Sequence, residues 1–75
     1  MATIILGPQE EFEHSHDGIS YTRLLSGSAT YIDNSRKIDM VFEESIITPA
    51  NVSHKIINTG TKECAVECWH GGVKQ

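Results

Sequence analysis

The chain has 75 residues, 39% of them hydrophobic, and a formal net charge of −4. That length makes one small domain spanning residues 1–75, because a division would leave neither half enough apolar surface to bury. The six Lys and Arg are scattered along an acidic chain and offer no basic stripe for phosphates to follow, so nucleic acid is not an expected partner.

From the N-terminus, Met1 to Leu6 carries no positive charge and meets Gly7-Pro8 after four strand-type residues. The segment reads as neither a signal peptide nor a membrane span, and the expected protein is soluble with no membrane partner. No window keeps apolar residues at helical spacing for three turns, whereas short runs rich in Ile, Val, Thr and Tyr recur between turn signals, which predicts an all-β fold. The predicted strands are Thr3–Leu6, Glu11–His16, Ser20–Ser26, Ala29–Asp33, Lys37–Phe42, Ser45–Thr48, His54–Asn58 and Cys64–His70. Asp17-Gly18, Ser26-Gly27, Asp33-Asn34-Ser35, Pro49-Ala50-Asn51 and Asn58-Thr59-Gly60 supply the turn chemistry between them, and predict hairpins or tight corners. In Lys37–Phe42 the period of two puts Ile38, Met40 and Phe42 on one face.

In the last strand Cys64, Val66 and Cys68 share one face and Ala65, Glu67 and Trp69 the other. Four strand residues separate the Cα atoms of the two cysteines by about 13 Å, well past the roughly 7 Å limit for a disulfide. Two free thiols suit a reducing compartment, so the expected location is cytoplasmic, and each cysteine reads as a small buried hydrophobe. Tyr21 and Arg23, on the face opposite Ser20 and Thr22, read as packing or dimer-contact residues.

Histidines carry the clearest chemical signal. His14 and His16, two apart, would leave a strand from the same face with nitrogens leaning toward a common point, although such a pair alone is also an ordinary solvated edge. His54 follows 38 residues after His16. Glu11 and Glu13 read as solvated charges, and His70, beside Gly71-Gly72, as a surface histidine outside the site.

These residues resemble the two motifs of the cupin family, G-x5-H-x-H-x3,4-E-x6-G and G-x5-P-x-G-x2-H-x3-N. In the first, His14, His16 and Gly27 match, Gly7 stands one residue early, and Ser20 occupies the glutamate position. In the second, Pro49, His54 and Asn58 match, while Glu43 and Asn51 replace the glycines. Asn51 tolerates left-handed backbone well, and Glu43 does so poorly. The resemblance covers residues 7–60, with a 15-residue spacer, 28–42, as short as that of compact microbial cupins.

The resemblance implies a small jelly-roll β-sandwich or barrel in which His14, His16 and His54 hold one divalent metal ion. With Ser20 in place of the glutamate, three neutral imidazoles favour iron, zinc, nickel or copper over harder cations. An uncompensated dication favours a small, anionic organic ligand or substrate. Two functions are therefore expected as alternatives: a metal-dependent enzyme of dioxygenase-like or isomerase-like type, or a non-catalytic small-molecule-binding or oligomerising module without metal. No general base beyond a metal-bound hydroxide can be assigned. A core this small needs reinforcement from a metal or a partner subunit. The expected assembly is a homodimer in which Ile4, Ile5 and Leu6 are buried by the partner or complete its sheet.

Overall fold

The computed structural model describes residues 2–15 and 17–70, with the side chains of Ala2 and His70 excepted. Eight strands follow one another: β1 (Ala2–Leu6), β2 (Glu11–His14), β3 (Ser20–Ser26), β4 (Ala29–Asp33), β5 (Lys37–Asp39), β6 (Ser45–Thr48), β7 (His54–Asn58) and β8 (Cys64–His70). They form two four-stranded antiparallel sheets, in the orders β1-β8-β3-β6 and β2-β7-β4-β5. This is a jelly-roll arrangement in which the chain passes repeatedly from one sheet to the other.

The alternation of side chains explains why the sheets face each other. Thr22 and Leu24 of β3, Ile46 of β6 and Ile56 of β7 point inward and are buried, while their strand neighbours are half-buried or exposed. Cys64, Val66 and Cys68 join that core from β8 and are nearly inaccessible. Both thiols are free, and burial pushes their pKa values up, so they pack as small hydrophobes. On the outer face of β8, Trp69 stacks on Tyr21 with ring centroids 5.5 Å apart, and Arg23 pairs with Glu67 at 2.5 Å. Tyr21 and Arg23 are thus packing residues, as their strand face implied.

Two strand ends differ from expectation. Strand β2 ends at His14, Ser15 is outside any strand, and His16 lies outside the described residues. Strand β5 ends at Asp39: Met40 N–H still bonds the in-register Ala29 carbonyl, after which Glu43 N–H goes to that of Leu24 in the other sheet. Met40 stays in the core, but Phe42 is 60% exposed beyond the end of the ladder. Among the described residues only β4 and β5 form a hairpin between consecutive strands; the other connections cross between sheets as corners. The β1 segment completes its own chain's sheet by pairing with β8, from Ala2↔Cys68 to Leu6↔Cys64. Leu6 enters the chain's own core and Ile4 packs against it, which leaves Ile5 as the exposed residue of the three.

Both replaced glycines of the second motif keep glycine-like backbone. Glu43 has φ 67° and Asn51 φ 62°, so the turns survive with side chains on them.

Candidate metal centre

Antiparallel pairing of β2 with β7 sets His14 directly opposite His54, both facing the space between the sheets. Their Nε2 atoms lie 2.5 Å apart, and the rings meet edge-on with centroids 4.2 Å apart. Two imidazole nitrogens this close share a proton as they stand, and a small parting of the rings would let both reach one cation. Phe12 adds an edge contact to the His14 ring at 4.5 Å, and His54 is only 1% exposed.

Behind His54 stands a polar cluster that pattern reading missed. The Tyr31 ring, fully buried, lies nearly parallel to that of His54 at 5.6 Å. Its hydroxyl donates to Asp33 Oδ2 at 2.9 Å and lies 2.5 Å from Thr48 Oγ1 of the other sheet. Arg36 extends along the Tyr31 face and donates to Asp33 Oδ2 at 2.8 Å and to the Ile47 carbonyl at 2.7 Å, which closes one edge of the sandwich. Asp33 Oδ1 accepts the backbone N–H groups of Ser35 and Arg36. Burial of Asp33 opposes its charge, but these donors prevail and hold its carboxyl well below the usual carboxylate range. The Asp33-Asn34-Ser35 signal announced only a turn, since nothing local shows that the same carboxylate supports a tyrosine against a histidine.

One consequence is measurable. The folded pKa of Asp33 lies below its unfolded value, so its contribution to stability is complete above about pH 4 and is lost as the pH falls through the folded value. Asp33→Asn is expected to destabilise the protein by about 1–2 kcal/mol at neutral pH and to flatten the acid limb of the stability curve. Urea titrations of both proteins between pH 2 and 7 check this, and parallel acid limbs would contradict it.

Of the sequence-predicted ligands, the structure brings His14 and His54 together. Among the described residues no group of three or more His, Cys, Asp or Glu could hold a metal ion, the third predicted ligand, His16, lying outside them. The described pair fits such an ion in chemistry, since two imidazole nitrogens, the commonest metal donors, converge. Glu11 and Glu13 are exposed on the outer face, where they meet Lys55 and Ser53, so neither replaces the missing carboxylate. Ser20 faces inward, 1% exposed, opposite Thr48. His70 closes β8, with its side chain outside the description.

Two jelly-roll sheets with paired histidines in the space between them define a class of β-barrel, and comparison with known proteins identifies it. The chain belongs to the cupin family, whose domain model matches residues 2–70. Solved structures agree in fold. A cupin superfamily protein of Desulfitobacterium hafniense is 23% identical with a TM-score of 0.75, over 91% of this chain and 62% of that one. A predicted oxalate decarboxylase of Thermotoga maritima is 24% identical with a TM-score of 0.76, over 88% and 59%. A conserved Klebsiella pneumoniae protein with a double-stranded β-helix domain is 21% identical with a TM-score of 0.75, over 97% and 67%. The chain thus spans about three fifths of the length of the first two. No curated protein matches its sequence.

Proposed function

We propose that this cupin holds one divalent transition metal through His14, His16 and His54 and uses it to bind a small organic anion. The observation that carries the reading is the convergence of His14 and His54 Nε2 at 2.5 Å in the space between the sheets. Spacing in the first motif supports His16 as the third donor. Neutral nitrogen donors favour iron, zinc, nickel or copper, and such an ion, when bound, supplies Lewis-acid polarisation of an oxygen and a more acidic water. The chain's own part is to orient the imidazoles: β2–β7 pairing fixes their separation, and Tyr31 packs against the His54 ring. A dioxygenase-like or isomerase-like enzyme is the active form of this proposal. The description of the Thermotoga protein as a predicted oxalate decarboxylase is in keeping with a small carboxylate ligand.

A second reading, a metal-free ligand-binding or oligomerising module, is favoured by Ser20, a neutral hydroxyl where the family motif carries glutamate. Elemental analysis of protein purified without a histidine tag separates the two: near-stoichiometric iron, zinc, nickel or copper supports the first, and its absence the second.

The two buried free thiols support a reducing, cytoplasmic setting. No helix among the described residues is long and apolar enough to cross a membrane. The proposed partners are the small anion and a second copy of the chain, with nucleic acid and membrane excluded from the proposal.

For the homodimer, the outer face of the first sheet offers a contact surface beside that of β1. There Ile5 is 55% and Ile47 53% exposed, and Ile47 lies opposite Tyr21 in register. Burying an isoleucine stabilises by about 1.5–3 kcal/mol, so Ile5→Lys combined with Ile47→Lys is expected to weaken self-association at least about 100-fold. Sedimentation equilibrium at micromolar concentration should give about twice the chain mass for the parent and the monomer mass for the variant. A monomeric parent would refute the pairing.

A further inference from the structure

We propose that the Ser20 hydroxyl donates a hydrogen bond to a carboxylate oxygen of a small ligand bound between the sheets; the proposal rests on reading the histidine end of the sandwich as the ligand site. Ser20 opens β3, is 1% exposed, and its Oγ has no hydrogen-bond partner among the described residues. A buried hydroxyl with its bond unmade is costly, and an acceptor from outside the chain accounts for it.

Proton counting shows why Ser20, and not its neighbour Thr48, is the donor left for a ligand. Directly across from Ser20, Thr48 points the same way, with its Oγ1 2.5 Å from Tyr31 OH. The single phenol proton of Tyr31 goes to Asp33 Oδ2, an ionised acceptor. Thr48 therefore donates its own proton to the Tyr31 oxygen, which also accepts from Arg36 Nη2 at 3.3 Å. That oxygen is then saturated, and Thr48 has no proton left to offer the interior. Asp33, the carboxylate in contact with Tyr31, is already taken by Tyr31, Ser35 and Arg36. Among the described residues Ser20 is left as the uncommitted donor on this wall. Tyr31 links Thr48 to His54, so the wall and the histidine pair belong to the same end of the sandwich. An inward donor on one sheet and two inward imidazoles on the other are groups that suit a small carboxylate.

Acetate is the probe, titrated into the full chain, metal-free and zinc-loaded, with the Ser20 and Thr48 amide chemical shifts as readout. Ser20→Ala is expected to weaken acetate binding about tenfold, as for loss of one hydrogen bond to a charged group. Ser20→Thr, which keeps the hydroxyl, should restore affinity to within about threefold. The melting temperature of Ser20→Ala should equal or exceed that of the parent, since the change removes a buried hydroxyl without a partner. Unchanged zinc affinity in Ser20→Ala, together with unchanged acetate affinity, would overturn the Ser20 role while leaving the metal reading intact. If zinc does not bind the parent, the metal reading fails and the metal-free titration decides: dependence on Ser20 there supports the proposal, and independence overturns it. Detection of a bound water at Ser20, with no acetate response at up to about 100 mM, would overturn it as well.

Discussion

His54→Ala is expected to leave the purified protein essentially free of transition metal, and His14→Ala and His16→Ala should do the same. Each change removes one of three proposed nitrogen donors. Loss of an outer partner that merely orients a ligand already weakens metal sites about 10–100-fold, so loss of a donor should exceed about 100-fold. The three variants should differ in stability. His54 is buried against Tyr31, and its truncation empties space in the core, at a cost of about 2–4 kcal/mol. His14 is half-buried beside Phe12, and its truncation should cost less. Elemental analysis of untagged protein, paired with urea denaturation, reads both quantities. Stoichiometric metal that survives all three substitutions would refute the assignment, whereas metal lost only in His54→Ala together with folded structure would place that loss in the fold.

What the sequence made legible follows from which interactions are local. Turn residues and β-branched runs located every strand, and Ser20–Ser26, Ala29–Asp33, Ser45–Thr48, His54–Asn58 and Cys64–His70 stand where they were predicted. Period two assigned the faces of β8 correctly, because strand geometry is set within a few residues. Phe42 failed for the opposite reason. The pattern of Lys37–Phe42 cannot reveal that the ladder with β4 stops at Thr30↔Asp39, because its partner strand begins at Ala29 and offers nothing for Val41 and Phe42 to pair with. The fate of β1 was equally hidden, since its partner lies at the far end of the chain. In the site, motif spacing supplied His14 and His54, whereas Tyr31, Thr48, Asp33 and Arg36 were invisible, because Thr48 reaches Tyr31 from the opposite sheet.

The motif residues also divide by role. Four steps along β7 carry the chain about 13 Å from His54 to Asn58, and at that distal end Asn58 is fully buried. Its side-chain amide donates to the carbonyls of Leu6 and Lys62 and accepts the Gly60 N–H. One residue thus ties β1, β7 and the loop before β8 together. Matching the family at Asn58 therefore reports on the fold, and matching it at His54 on the site.

Gly27 belongs with Asn58, and its substitution is the second large effect expected. It follows the shift in register where Leu24 pairs with Val66 but Ser26 with Ala65, a bulge that turns the chain out of the first sheet toward β4. The backbone there has φ 82°, a conformation that costs a residue with a side chain about 1–2 kcal/mol. Space is also lacking: a Cβ on Gly27 would stand 2.7 Å from Cys64 Cβ and 2.8 Å from the Glu63 carbonyl oxygen. Neither neighbour can swing aside, because Cys64 is buried at the start of β8 and the carbonyl is backbone. Gly27→Ala must therefore displace β8 or the bulge, and the added strain raises the expected cost to about 3–5 kcal/mol, a large part of the stability of a domain this size. Gly18 serves as the control: a Cβ there would meet nothing within 4 Å, its φ is not positive, and Gly18→Ala should change stability by less than about 0.5 kcal/mol. Urea denaturation of the two variants reads the contrast directly. Equal stabilities would mean that the corner after β3 yields, and that the closing glycine of the first motif is dispensable to the fold.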